Sequence, residues 1–298
     1  MKKFDAIVLS GGGTRGFGTL GTLHYYYECG KYNHNCVKTY AGTSIGSAIS
    51  LLLTCGYLPM EIFKDLYLMS TFFEPDNKNK SLVDTFKDIF KEMGLLSIDS
   101  FISKIEVMIK SKLNIDYIPT LRELYYLTGK KFLSVSTNIT KMRSEYIDYN
   151  SFPELKCTDA VKLSCNIPLL FKNIKYKDSY YIDGAFVNNF PVDQVYNDHE
   201  NILSILLPHN KPYTEENIPG YLGHILMTML TEILHIRLDG KDEKITLVTL
   251  DGCKPDSNSP IPEPTVSRDS RMKMFLRGYN IGKIKDSEEY LFVKDFVL

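Results

Sequence analysis

Nowhere does this sequence run apolar for the roughly 20 residues that a bilayer-crossing helix needs. Its most apolar stretches, 45–60 and 221–234, fall short and carry Ser, Thr, His or Glu within them. Cysteine is sparse: Cys29, Cys36, Cys55, Cys157, Cys165 and Cys253 form no C-x-x-C pair, which argues against a zinc knuckle and a redox motif and leaves buried free thiols. Neither charge is in excess, with 35 Lys+Arg against 36 Asp+Glu and a formal net charge of -1. The chain has no basic run with interleaved aromatics, so nucleic acid is not an expected partner. There is no D-x-D-x-D-G loop and no His/Cys ligand cluster, so no metal and no cofactor are expected. The apolar AIVL after Asp5 is too short for a signal-peptide core and runs into glycines, which leads to an intracellular expectation, cytoplasmic or peripheral on membranes. No segment repeats at a fixed period.

The composition itself suits one large core, since 44% of the 298 residues are hydrophobic, and a single domain over 1–298 is expected. AIVLS reads as a buried parallel strand and the residues from Phe17 to Cys29 as a helix. The same order returns in VKTYA at 37–41, GTSIG, and the helical SAISLLLTCGY. From Pro59 to Gly129 the pattern is a helical block, with an apolar stripe of Phe101, Ile102, Ile105, Met108 and Ile109, and Thr120 and Glu123 spaced as a capping box. Later strands are expected at 132–140, 145–149, 180–183, 202–207 and 245–250, and helices at 220–238 and 267–284. Loop-like composition marks 74–81 and 253–265. The mixed order points to an α/β fold, with the part from 200 to 298 less assignable.

GGGTRG at Gly11 to Gly16 fits G-x-G-x-x-G, the phosphate-binding pattern of dinucleotide folds. That reading needs an acidic residue about 20 positions on, and none lies between Gly30 and Gly56. A phosphate-binding NTPase loop needs Lys and Ser/Thr after the last glycine, where Phe17 and Gly18 stand. At the end of the second strand stands GTSIG, a G-x-S-x-G match that lifts Ser44 on a strand-to-helix turn between Gly42 and Gly46. A serine nucleophile needs N–H donors for the oxyanion it creates, and adjacent parallel strands end on one edge, so the backbone at Gly11, Gly12 and Gly13 can supply them. It also needs a base. Asp183, beside Gly184 at the end of a strand, is one candidate, although Asp-Gly is also a hairpin-turn pair. A serine–histidine–acid triad would draw on His24, His34, His199, His209, His224 or His235, none of which stands in a distinguishing motif.

Taken together, GGGTRG, GTSIG and the later DGA resemble the patatin-like phospholipases, whose pattern has a G-G-G-x-R/K-G loop, a G-x-S-x-G elbow and a D-G-G/A dipeptide. KLSCNIPLLF at 162–171, keeping Ser164, Pro168 and Phe171, and NNFP at 188–191 add to the likeness, which spans Phe4 to Val195. The resemblance implies a three-layer α/β/α fold with a mostly parallel central sheet and a serine–aspartate dyad without histidine. Ser44 is then the nucleophile and Asp183 the base. N–H groups of the Gly11–Gly13 loop form the oxyanion hole, Arg15 steadies that loop or meets lipid phosphate, and Gly16, Gly42, Gly46 and Gly184 support the turns. Cys165 and Asn166 depart from the family's small residues. The implied activity is hydrolysis of fatty acyl esters of phospholipids or lysophospholipids, with peripheral membrane contact allowed. The rivals are a catalytically silent lipid-binding protein on the same fold and a nucleotide-dependent oxidoreductase. The apolar stripe of the helical block packs on the sheet, or part of the block lines an acyl groove or touches the bilayer.

Overall fold

The computed structural model describes residues 2–69, 74–75, 94–208, 218–241, 243–255 and 266–296. The first strand, β1 (Ala6–Leu9), is apolar at every position because both its faces are covered. Ile7 and Leu9 join one core cluster and Ala6 and Val8 another, so the two clusters lie on opposite sides of one sheet. After β1 come helix α1 (Gly16–Glu28), β2 (Thr39–Thr43), α2 (Ile45–Thr54), α3 (Pro59–Tyr67), and the short strands β3 (Glu74–Pro75) and β4 (Gly94–Ser97). Helices Asp99–Leu113 and Leu121–Thr128 lead to β5 (Lys131–Asn138) and β6 (Arg143–Ile147). Helix Cys157–Ser164 precedes β7 (Leu169–Phe171), β8 (Ile174–Tyr176) and β9 (Ser179–Asp183). The chain closes with β10 (Ile202–Leu206), helix Ile218–Leu238, β11 (Ile245–Thr249) and helix Arg268–Phe296.

The main sheet runs β11-β10-β1-β2-β5-β9-β8, with β6 also on β5; a small second sheet is β3-β4-β7. From β11 to β5 every neighbour is parallel, β6 and β9 run antiparallel to β5, and β8 runs antiparallel to β9. Helices α1, α2, α3, Asp99–Leu113 and Cys157–Ser164 pack on one face. On the other lie Phe190, Val192 and Val195, with Leu234 and Leu238 of helix Ile218–Leu238. The architecture is the α/β sandwich the sequence predicts.

One strand sets up the functional edge. Ser134 pairs with Gly42 of β2 and with Ile147 of β6, and Ser136 pairs with Asp183 of β9 and with Glu145 of β6. A strand has only two hydrogen-bonding edges, so β6 fills one and β2 and β9 share the other. β2 is parallel to β5 and β9 antiparallel, so their C-terminal ends meet head-on, Thr43 opposite Val135 and Asp183 opposite Ser136.

Local signals mostly hold. Thr120 accepts from the Glu123 N–H at 3.3 Å while the Glu123 carboxylate accepts from the Thr120 N–H at 2.8 Å, the capping box read from the sequence. The expected strand at 37–41 forms two residues later, because the tight turn at Ser44 belongs to the strand end. The block from 59 to 129 is not wholly helical, since β3 and β4 fall within it. Its stripe of Phe101, Ile102, Ile105, Met108 and Ile109 is buried in the main core, as an amphipathic helix on a sheet. Of the two loop-like segments, residues 76–81 and 256–265 lie outside the described residues.

The C-terminal helix Arg268–Phe296 lies backbone to backbone on α1. A Cβ at Gly21 would sit 1.9 Å from the Phe275 carbonyl oxygen, and one at Gly278 would sit 1.9 Å from that of Gly18. Thr22 donates from Oγ1 to the Gly278 carbonyl at 2.8 Å across the same seam. Gly21→Ala or Gly278→Ala should therefore force the helices apart and cost about 1–3 kcal/mol or more, read as a fall in Tm. An unchanged Tm in both variants would mean the seam is not closed in solution.

Candidate active site

β2 must turn into α2 within one residue, and Ser44 takes that turn with φ 55° and ψ -127°, a backbone conformation L residues rarely adopt. The flanking glycines are required by contact with backbone. A Cβ at Gly42 would stand 2.4 Å from the Gly46 carbonyl group, and one at Gly46 would stand 2.4 Å from the Leu9 carbonyl oxygen. The turn is pinned by the Ser44 N–H, which donates to Ser164 Oγ at 2.9 Å, while that hydroxyl donates on to the Val135 carbonyl.

The Ser44 hydroxyl donates to Asp183 Oδ2 at 2.6 Å. Asp183 is buried, and Oδ1 accepts the Ala185 N–H at 2.8 Å. Its own backbone N–H donates to the Asn166 carbonyl at 2.8 Å, and its carbonyl accepts from Thr137 Oγ1 at 2.9 Å. Burial pushes the carboxyl up to about 6, against the hydrogen bonds from Ser44 and Ala185 that favour the charged form. Asp183-Gly184 is not a hairpin turn: the chain enters the short helix Ala185–Asn188. A Cβ at Gly184 would meet the Val135 carbonyl oxygen at 2.2 Å.

The glycine loop lies against the serine, a Cβ at Gly11 coming within 3.0 Å of Ser44 Cβ. The Gly11 N–H is committed, donating to Asn189 Oδ1 at 3.0 Å, so Gly11 anchors the loop instead of offering a donor. Among the described residues the N–H groups of Gly12 and Gly13 have no acceptor. Arg15 donates from Nε to the Gly12 carbonyl at 3.2 Å and from a terminal nitrogen to the Pro208 carbonyl at 2.7 Å, which ties the loop to the end of β10. Of its two expected roles, loop support is the one these bonds describe. Gly16 opens α1 against Ile45.

Beside Ser44 opens an apolar pocket lined by Gly13, Phe17, Ile45, Leu66, Phe101 and Phe171, among others. Leu66 and Phe101 come from the block after α2, so part of that block faces the pocket, and Phe101 belongs both to the buried stripe and to the pocket lining. Cys165 also lines the pocket; burial and the nearby Asp183 carboxylate hold its thiol well above the ordinary range, so it stays neutral. Among the described residues His34 bonds with Tyr40 Oη at 2.9 Å, His199 with Thr39 Oγ1 at 2.9 Å and His224 with the Gly220 carbonyl at 3.4 Å, and His24 Nε2 lies 3.4 Å from a Glu28 carboxylate oxygen. His209 lies outside the described residues. Sequence reasoning gave no role to Asn189, although it sits within NNFP, nor to Pro208, whose backbone contact leaves no mark in composition.

The model of the patatin-like phospholipase family matches residues 7–196. This chain belongs to that family. It is 35% identical over 194 residues to "Probable lipid hydrolase 463L" of Invertebrate iridescent virus 6, covering 64% of this chain and 63% of the relative. It is 25% identical over 206 residues to "Uncharacterized protein R571" of Acanthamoeba polyphaga mimivirus, covering 69% and 66% respectively. The chain thus spans just under two thirds of the length of these relatives. Among solved structures, VipD from Legionella pneumophila superposes with a TM-score of 0.51 at 16% identity over 96% of this chain and 67% of that one, which shows a shared fold.

Since folding pushes the Asp183 carboxyl up, its favourable contribution is fully present below the unfolded value and is lost as pH rises through about 6, above which the buried carboxylate opposes stability. Asp183→Asn keeps an acceptor for Ala185 and a donor for Ser44 without the charge. It should raise Tm at neutral pH, by up to a few kcal/mol of stability, and the gain should shrink in acid. A lower Tm at neutral pH would contradict the burial argument.

Proposed function

We propose that this protein is a serine-dependent lipid acyl hydrolase acting through Ser44 and Asp183. The observation that carries the reading is the 2.6 Å hydrogen bond from the Ser44 hydroxyl to a buried carboxylate, beside two N–H groups that have no acceptor among the described residues. Ser44 Oγ attacks the ester carbonyl carbon and its proton passes to Asp183. The carbonyl oxygen becomes an oxyanion held by the Gly12 and Gly13 N–H groups, a kind of donor whose loss typically costs about 10²–10³ in rate. Collapse breaks the ester C–O bond, Asp183 returns the proton to the departing alcohol, and an acyl-enzyme remains. Water then repeats the steps, giving its proton to Asp183, releasing the fatty acid and restoring Ser44. The apolar pocket beside Ser44 suits a fatty acyl chain, and each buried CH₂ contributes ~0.8 kcal/mol. Phospholipids and lysophospholipids are the substrates expected of the family.

Two outcomes test the reading. Ser44→Ala should abolish ester hydrolysis and labelling by a fluorophosphonate, with a lower Tm because it strips one oxygen of the buried carboxylate of its partner, at a cost of about 1–3 kcal/mol; undiminished hydrolysis would sink the reading, whereas lipid binding by a natural protein that hydrolyses no ester would favour the silent lipid-binding alternative. Because the base must be ionised to take a proton, kcat/KM should rise with pH through about 6 and then level off. Asp183→Asn should lose nearly all activity, and a pH profile flat down to the ordinary carboxylate range would remove Asp183 from the role of base.

A further inference from the structure

Among the described residues Arg271 is the largest fully buried side chain, 2% exposed, and it belongs to helix Arg268–Phe296, outside the segment that matches the family model. Its guanidinium donates from one terminal nitrogen to the carbonyls of Leu66 at 3.1 Å, Tyr67 at 2.9 Å and Met69 at 2.6 Å. Nε donates to the Val266 carbonyl at 2.8 Å. Leu66 and Tyr67 are the last two residues of α3, where the carbonyls carry the negative end of the helix dipole, and Met69 follows two residues on. The guanidinium carbon lies 5.8 Å from the centre of the Phe17 ring, over its face. Phe17 and Leu66 both line the pocket beside Ser44. A buried cation thus grips, from behind, two parts of an apolar wall.

We propose that Arg271 is a positioning residue that holds the Phe17–Leu66 wall and so sets which acyl chain lengths the pocket accepts. The inference rests on the reading of Ser44 as nucleophile and of the pocket beside it as the acyl site. Two features fit it. Arginine holds Nε and its terminal nitrogens in one plane, so a single side chain binds Val266 through Nε while the two N–H groups of one terminal nitrogen are shared among Leu66, Tyr67 and Met69, two chain segments that a hydroxyl or amide could not reach together. The helix that carries it is locked onto α1 by the Gly21–Gly278 seam, and α1 carries Phe17, so both sides of the wall share one rigid support. A long acyl chain needs more of that wall than a short one, so loosening it should act on long chains first.

The experiment compares natural protein, Arg271→Met and Arg271→Lys on nitrophenyl esters from butyrate to palmitate, with fluorophosphonate labelling and Tm recorded for each. In Arg271→Met the ratio of long-chain to short-chain kcat/KM should fall by about tenfold or more, chiefly through KM, while labelling of Ser44 by a short fluorophosphonate stays within about threefold. Arg271→Lys, which keeps the charge but not the fork, should restore part of the ratio. A ratio unchanged in both variants, whatever happens to Tm, overturns the proposal and leaves Arg271 a structural residue only. If Arg271→Met does not fold, Arg271→Lys decides alone: a ratio below the natural one supports the proposal and a natural ratio overturns it. Absence of hydrolysis by the natural protein on every ester would instead defeat the reading of Ser44.

Discussion

A carboxylate kept out of water is costly unless its oxygens are hydrogen-bonded, and much of the site is arranged around that constraint at Asp183. One oxygen takes the Ala185 N–H and the other the Ser44 hydroxyl. Backbone bonds to Asn166 and Thr137 hold the residue, so the side chain cannot swing out to solvent for relief. The strained turn at Ser44 is the other half of the same arrangement: its odd backbone angles aim the hydroxyl at the carboxylate, and Ser164 holds the turn from beneath. Strain on one side and desolvation on the other are both borne by the β5 edge, which brings β2 and β9 together.

The motifs were legible because they record close approaches between main chains, and only glycine satisfies those. GTSIG keeps its glycines since the Gly42 and Gly46 positions have backbone within 2.4 Å. The same physics misleads elsewhere. Gly18 and Gly21 look like an extension of the loop glycines, yet Gly18 faces Cys253 and Leu250 and Gly21 faces Phe275 of helix Arg268–Phe296, more than two hundred residues away. Contacts of that separation leave no period in the sequence, which is why Asn189, Pro208 and Arg271 could not be read from it. The small sheet of β3, β4 and β7 escaped for a different reason. Its strands have two to four residues, too few for an alternation to show.

The family match ends at residue 196, but the fold does not. β10 pairs directly with β1, and β11 extends the sheet beyond it. Pro208 anchors Arg15 of the glycine loop, and the last helix covers α1. The C-terminal third is therefore built into the supports of the site and is not an appendage to a finished domain.

The meeting of β2 and β9 on one edge of β5 also has a temporal side. Ser44 and Asp183 stand 139 residues apart in the chain, and between them come α3, the helices Asp99–Leu113 and Leu121–Thr128, β5 itself and the Cys157–Ser164 helix, among other elements. Pairings of such separation form late in folding, after the loop-closing entropy of everything between has been overcome. A chain still leaving the ribosome presents its serine long before its aspartate exists. On the dyad reading, the nucleophile stays without its base until the end of β9 reaches the edge of β5, so it is latent while the chain is being made and needs no inhibitor to keep it so.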